Sequence, residues 1–255
     1  MHLVDVKDGF DLDRLCTELA EGHATQGGPV RVRRIVIWAI ACIPSWRLRG
    51  SLYRLIPGYS VDHSARIGWL SAIDVESLRL GPGSRIGRWS HLRGPMSVVL
   101  GNGAVLGGGN RVECGSWYAE FDSANAPYAR EFVLGEKAMI TSGHYFDAVG
   151  GIRIGEGSWI AGRGSQFWTH GLGVEDRSIG VGRYCYIGSA VRFAPGARIG
   201  NLVVVSLGSV VSHDMSPHDQ ALIAGVPAVV VRDDYRPAGW AALERALDDG
   251  AIAYG

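Results

Sequence analysis

The chain has 255 residues, enough to bury one substantial core with a small appendage. Its 25 basic residues balance 25 acidic ones, so bulk electrostatics give no reason to expect a nucleic-acid partner. The 37 glycines follow no G-X-Y period, which excludes collagen, and Cys16, Cys42, Cys114 and Cys185 form no C-x-x-C pair, which argues against a zinc ribbon or disulfide framework and suits a reducing compartment.

Residues 1–10 carry acids and no apolar core, so no secretory signal is read there. Residues 10–21 have the spacing of a short amphipathic helix, with Phe10, Leu12, Leu15 and Leu19 on one side, broken at Gly27, Gly28 and Pro29. Residues 30–56 read as helical, interrupted by Pro44, and mix Arg31, Arg33, Arg34, Arg47, Arg49 and Arg54 with Trp38, Trp46 and Tyr53. The apolar run at 35–43 is about half of the ~20 residues that span a bilayer, so a soluble, cytoplasmic protein is expected. The segment has two readings. It caps the open end of the repeats that follow, as solenoids require, or it is a peripheral helix whose arginines and tryptophans touch a membrane surface.

From residue 57 a six-residue rhythm sets in, cleanest over 181–211. Val181, Ile187, Phe193, Ile199, Val205 and Val211 recur every sixth position, each followed by Gly, Ala or Ser. Neither the helical nor the strand period fits. A coil of flat six-residue edges does, each edge contributing one inward apolar side chain, and hexapeptide periodicity marks a parallel β-helix. Ile67 and Ile73 fit, then Leu80, Ile86 and Leu92, then Leu100, Leu106 and Val112 after a two-residue slip. Breaks at 113–132, 143–151 and 168–178 read as loops leaving the stack on a binding face. Three edges make a coil of about eighteen residues, and about eight or nine coils at the ~4.8 Å spacing of paired strands make a prism. Residues 238–249 look like a closing helix. The expected organisation is therefore a helical N-terminal cap (1–58), an all-β solenoid (59–232), and a C-terminal helix and tail (233–255).

The repeats, the loop breaks and Gly225-Val226-Pro227-Ala228 resemble the hexapeptide-repeat acyltransferases. The maltose/galactoside O-acetyltransferase branch and the acetyltransferases of surface polysaccharides are the most similar. The resemblance covers about residues 57–232 and implies a left-handed parallel β-helix, an exception to the usual right-handed crossover. It also implies a homotrimer with acetyl-CoA, or another acyl-CoA, in the groove between adjacent prisms. Ser189, Ser206, Ser212 and His213 match positions that contact the coenzyme, and Arg232 matches a basic residue that meets its phosphates. Val229 stands where relatives often carry a second arginine.

For chemistry, His170 ends the stretch 165–170 just before the third break, where the family places its catalytic histidine. A base near neutral pKa takes the proton of a sugar hydroxyl attacking a thioester, and histidine meets that need without tuning. His144 is the second candidate base, and Asp147, three residues on, would fix an imidazole tautomer or bind a sugar hydroxyl. Gln166 and Trp168 would shape the acceptor pocket, Trp168 by stacking on a sugar face. No metal is expected, because His144 and His170 are 26 positions apart and lack the His-x4-His spacing of the zinc-binding γ-type carbonic anhydrases. The resulting expectation is an acyl-CoA-dependent O-acetyltransferase acting on a saccharide or glycan intermediate. A serine, amino-sugar or xenobiotic acetyltransferase is the enzymatic alternative, and a β-helix scaffold or binding module the non-enzymatic one.

Overall fold

One inward side chain per six residues builds flat edges stacked coil upon coil, and a computed structural model shows eight such coils. It describes residues 27–115, 128–237 and 240, with side chains from residue 32 onward. The expected helix at 10–21, most of the insertion at 113–132 and, apart from residue 240, the closing helix at 238–249 lie outside the described residues.

Each coil has three faces. The second face is a column of strands starting at Arg66–Ile67 and Arg85–Ile86, with Ile67, Ile86, Leu106, Ile140, Ile160, Ile187, Val205 and Ile223 pointing inward and buried. The third face stacks Ile73, Leu92, Val112, Phe146, Phe167, Phe193 and Val211 in parallel register. Its three phenylalanine rings lie 4.8 and 4.6 Å apart. Each fully buried side chain of this size contributes about 1.5–3 kcal/mol, so the columns supply most of the cohesion.

The first face explains the irregular rhythm. In five coils this face turns two side chains inward: Leu78 and Leu80, Val98 and Leu100, at the ends of the long strands Ala72–Leu80 and His91–Leu100, and Phe132 and Leu134, Ile152 and Ile154, Ile179 and Val181 on four-residue strands. A hexad count therefore slips where it crosses this face, by one residue from Ile73 to Leu80 and by two from Leu92 to Leu100 and from Phe146 to Ile154. The expected break at 143–151 is accordingly not a loop. Tyr145–Asp147 is a strand paired with 111–113 and 166–167, Phe146 is its inward residue, and Gly151–Ile154 resumes after a tight corner.

Parallel coils exchange N–H and C=O groups in both directions, so the outer side of the first coil leaves both donors and acceptors unpaired. The N-terminal segment supplies partners for both, with the Tyr53 and Tyr59 hydroxyls accepting from the Ile73 amide at 3.3 Å and the Val75 amide at 3.1 Å. Helix α1 (Gly27–Ala41) and helix α2 (Trp46–Leu55), the latter capped by Ser45, close the first end. Arg49, buried, donates through Nε to the Ile67 carbonyl at 3.1 Å and through NH1 to that of Ile43. Tyr53 Oη donates to the Ser71 carbonyl at 3.0 Å, Tyr59 Oη to that of Val75 at 2.9 Å, Arg33 to Val75 at 2.6 Å, and Arg54 to Val61 at 3.1 Å. Of the two readings of 30–56, the structure shows the cap. Gly27, Gly28 and Pro29, expected to break a helix, open α1 instead, because a proline costs nothing where the amide has no intrahelical partner. Among the described residues no helix is long and apolar enough to cross a membrane. At the other end Leu222–Gly225 turns through Val226-Pro227 into Ala228–Arg232, which runs antiparallel and closes the sheet.

The corner between second and third faces carries a buried polar ladder. Ser71, Ser90, Asn110, His144 and Ser209 each stand four residues after an inward residue. Ser71 Oγ donates to the Gly87 carbonyl at 2.6 Å, Ser90 Oγ to that of Gly107 at 2.9 Å, and Asn110 Nδ2 to that of Thr141 at 2.6 Å. His144 is one rung. Its amide donates to Asn110 Oδ1 at 2.8 Å, its Nδ1 accepts from the Ser165 amide at 3.1 Å, and its Nε2 lies 3.0 Å from Thr141 Oγ1.

Two outcomes follow from these contacts. Arg49→Met leaves two carbonyls without donors and should lower unfolding stability by about 2–3 kcal/mol in urea titration. Burial pushes the His144 pKa from 6.5 down to about 4, so the unfolded chain takes up this proton first. Stability is therefore whole above pH 6.5, falls as pH drops toward 4, and levels below, a loss of about 3 kcal/mol that His144→Asn should remove from the pH profile.

Candidate active site

The third-to-first corner holds the other histidine. Asp147 ends the strand Tyr145–Asp147 and is 3% exposed. One coil on, the strand Gln166–Phe167 ends at the same corner and the chain leaves as the loop 168–177. Thr169 fastens the start of that loop. Its amide donates to Asp147 Oδ2 at 2.9 Å, its hydroxyl donates to the Asp147 carbonyl at 2.8 Å, and it accepts from the Gly150 amide at 2.8 Å. His170 is thereby turned back over Asp147, with Nδ1 2.6 Å from Oδ2. The carboxylate accepts a hydrogen bond from Nδ1–H, so the neutral ring carries its lone pair on Nε2, the tautomer a general base needs. The His170 side chain is 38% exposed, accessible to a reactant.

His170 and Asp147 lie at one end of a groove of about 830 Å³. The groove runs along the corner past Tyr145, Glu113 and Arg93 to Arg33 and Arg34 of α1. Trp168 stands beside the histidine, its ring centroid 6.4 Å from the imidazole and 4.8 Å from Tyr145. Gln166 Oε1 accepts from Trp168 Nε1 at 3.3 Å, which steadies the indole. Cys114 also lines the groove, but burial, with the Asp147 carboxylate adding to it, pushes its thiol up to about 12. It is a neutral thiol at neutral pH and no nucleophile. Burial likewise pushes the Tyr145 phenol up to about 12.

The structure thus brings together four of the expected residues: His170, Asp147, Gln166 and Trp168. His144 is corrected. It is 2% exposed, bonded through both ring nitrogens in the opposite corner ladder, and none of its hydrogen bonds reaches His170 or Asp147. A ring held neutral inside a core cannot collect a proton from a reactant at the surface. Ser189, exposed, and Ser206, half-buried, follow the second-face strands Tyr186–Ile187 and Val204–Val205, at the ladder corner. Ser212 and His213 stand exposed at the His170 corner, two coils further on, about 10 Å away. Arg232 ends the closing strand, 5.7 Å from the Tyr235 ring. None of these five lines the His170 groove of this chain.

The residues that sequence reasoning missed are Tyr145, Glu113, Arg111 and Arg33. The first three sit beside the inward residues Phe146 and Val112, so placing Phe146 in the hexad would have turned them outward at the right corner. Arg33 comes from outside the repeats, and no periodic signal points to it. Among the described residues no three His, Cys, Asp or Glu side chains group as metal ligands.

No family model and no curated protein matches the chain. Solved structures resemble it. A hexapeptide-repeat containing acetyltransferase from Vibrio cholerae is 19% identical over 82% of this chain and 95% of that one, with a TM-score of 0.42. A UDP-N-acetylglucosamine acyltransferase from Bacteroides fragilis is 12% identical over 69% and 73%, with a TM-score of 0.46. A polySia-specific acetyltransferase is 18% identical over 71% and 88%, with a TM-score of 0.42. All three scores lie below 0.5, so function is argued from the chain's own geometry.

Proposed function

We propose that the chain is an acyl-CoA-dependent O-acyltransferase, most simply an acetyltransferase, whose acceptor is a hydroxyl of a saccharide. The observation that carries this reading is the His170–Asp147 pair, 2.6 Å apart, at the head of an open groove. The acceptor hydroxyl oxygen attacks the thioester carbonyl while its proton passes to His170 Nε2. Asp147, bonded at Nδ1, holds the ring in orientation and stabilises the imidazolium that forms. The C–O bond forms, the C–S bond breaks, and the departing thiolate takes the proton back from His170. No covalent enzyme intermediate is needed. That agrees with Cys114, the groove's only thiol among the described residues, being held protonated.

The aromatic pair Trp168–Tyr145 beside the base supports a sugar acceptor, since a ring face stacks on the apolar face of a pyranose. Ser189, Ser206, Ser212, His213 and Arg232 are the residues to hold the acyl-CoA. Hydroxyls and a guanidinium suit its amide and phosphate groups, and all five lie from the sixth coil onward, beyond His170. Ser189 and Ser206 lie across the width of the third face from His170, so one chain does not assemble the site. A second prism packed against the first would bring the two corners together, which supports a homotrimer with the site shared between copies.

His170→Ala should lower kcat by about 10²–10⁴-fold while isothermal titration shows unchanged acetyl-CoA affinity. Absence of acetyl-CoA binding by the parent protein would sink the reading in favour of a scaffold. Trp168→Ala should raise the acceptor KM by roughly 2–10-fold with little change in the KM for acyl-CoA, a split that steady-state kinetics resolves.

A further inference from the structure

The side of the N-terminal helices turned away from the coils is both apolar and basic. On α1, Val32, Ile35 and Trp38 are 61, 68 and 49% exposed at a spacing that keeps them on one side. Trp69 Nε1 donates to the Cys42 carbonyl at 3.1 Å, joining the end of α1 to the corner of the first coil. Trp89, 64% exposed, continues the patch one coil further, its ring 6.1 Å from that of Trp69. On and after α2, Leu48, Leu55 and Ile56 are exposed as well. Arg47 and Arg66 lie 5.3 and 5.0 Å from the Trp46 ring, and Arg34 and Arg88 are exposed nearby in the chain. Residues 27–58 hold six arginines and no aspartate or glutamate.

Arg33 and Arg34 pair with Asp74 of the first coil, at 2.7 and 3.9 Å, on the groove side of α1. Isolated exposed apolar residues need no explanation, but a group of tryptophans and aliphatics beside the exposed Arg47, Arg66 and Arg88 does. We propose that this face seats the protein on an anionic lipid surface, with the tryptophans at headgroup depth and the arginines on lipid phosphates. Charge decides the occupant. A uniformly negative surface meets no carboxylate anywhere on either helix, whereas a second copy docked through the same face would set arginine against arginine. The seating adds to the cap rather than competing with it, because Arg49, Tyr53 and Arg54 point into the first coil while the patch points away. Arg33 and Arg34 belong both to α1 and to the groove that ends at His170, so the groove opens alongside the membrane-facing side. This inference does not depend on the acyltransferase reading.

The test is co-sedimentation of the full chain with vesicles of phosphatidylcholine alone and with about 30% phosphatidylglycerol. The protein should pellet with the anionic vesicles, stay in solution with the neutral ones, and be released by salt of about 0.5 M. Val32→Glu/Ile35→Glu and, separately, Arg47→Glu/Arg66→Glu should each cut the bound fraction several-fold, with unchanged circular dichroism and melting temperature showing that the cap still folds. No pelleting of the parent protein, or pelleting of either variant equal to that of the parent, overturns the proposal. A change of oligomeric mass in Val32→Glu/Ile35→Glu without any lipid binding overturns it too, assigning the face to contact between copies.

Discussion

Everything in this molecule depends on the hydrogen-bond ladder between stacked coils. Adjacent coils exchange backbone bonds in both directions, Gly68 donating to Ile86 and Trp89 back to Trp69, so each coil needs a neighbour on both sides and the two ends of the stack need other partners. At the first end the N-terminal segment meets carbonyls with guanidinium and phenol donors, and amides with the same phenol oxygens. At the last end a returning backbone strand pairs antiparallel with the sheet. The burial of Arg49 is tolerable only because its guanidinium meets the Ile43 and Ile67 carbonyl oxygens, since an unpaired charge there costs several kcal/mol.

The same repetition makes the site. A stack of near-identical corners offers no reason for chemistry at any one of them, and most carry serine, glycine or asparagine that bonds to the neighbouring coil. At the third-to-first corner of the fourth coil a carboxylate is instead left with its oxygens toward the next coil. Thr169 meets it through backbone and hydroxyl, and the loop that begins there delivers His170 to the same oxygen. A shared buried carboxylate thus does two jobs: it stitches a loop to the prism, and it sets the tautomer of a surface imidazole. His144 shows the contrast. It has the same side chain, but all its partners are inside, and its burial holds it neutral where no reactant arrives.

The period of six, the parallel solenoid and the inward columns were legible in the sequence because each inward position repeats one requirement: one apolar side chain per edge with a small residue after it. The slips and the apparent break at 143–151 were not, because the first face accepts either one or two inward residues and a strict count has no term for that choice. Phe146 was hidden by this slip, and with it the outward places of Tyr145 and Asp147. The assignment of His144 failed for a related reason. Its spacing of four after Ile140 is that of Asn110 after Leu106, a ladder position that calls for a buried polar side chain, whichever residue type supplies it.

By itself, then, the sequence determined the repeat, the edges that face inward, and the stretch from which His170 projects. Those are local matters, settled by periodicity and by the residues adjacent in the chain. Only the tertiary structure decided that His170, not His144, meets Asp147, that the arginines and tyrosines of 30–59 close the first end of the prism, and that Arg33 reaches the groove. Each of these joins residues from different coils or from outside the repeats. Such pairs are made by stacking register and by the demands of unpaired backbone groups, neither of which leaves a spacing to read.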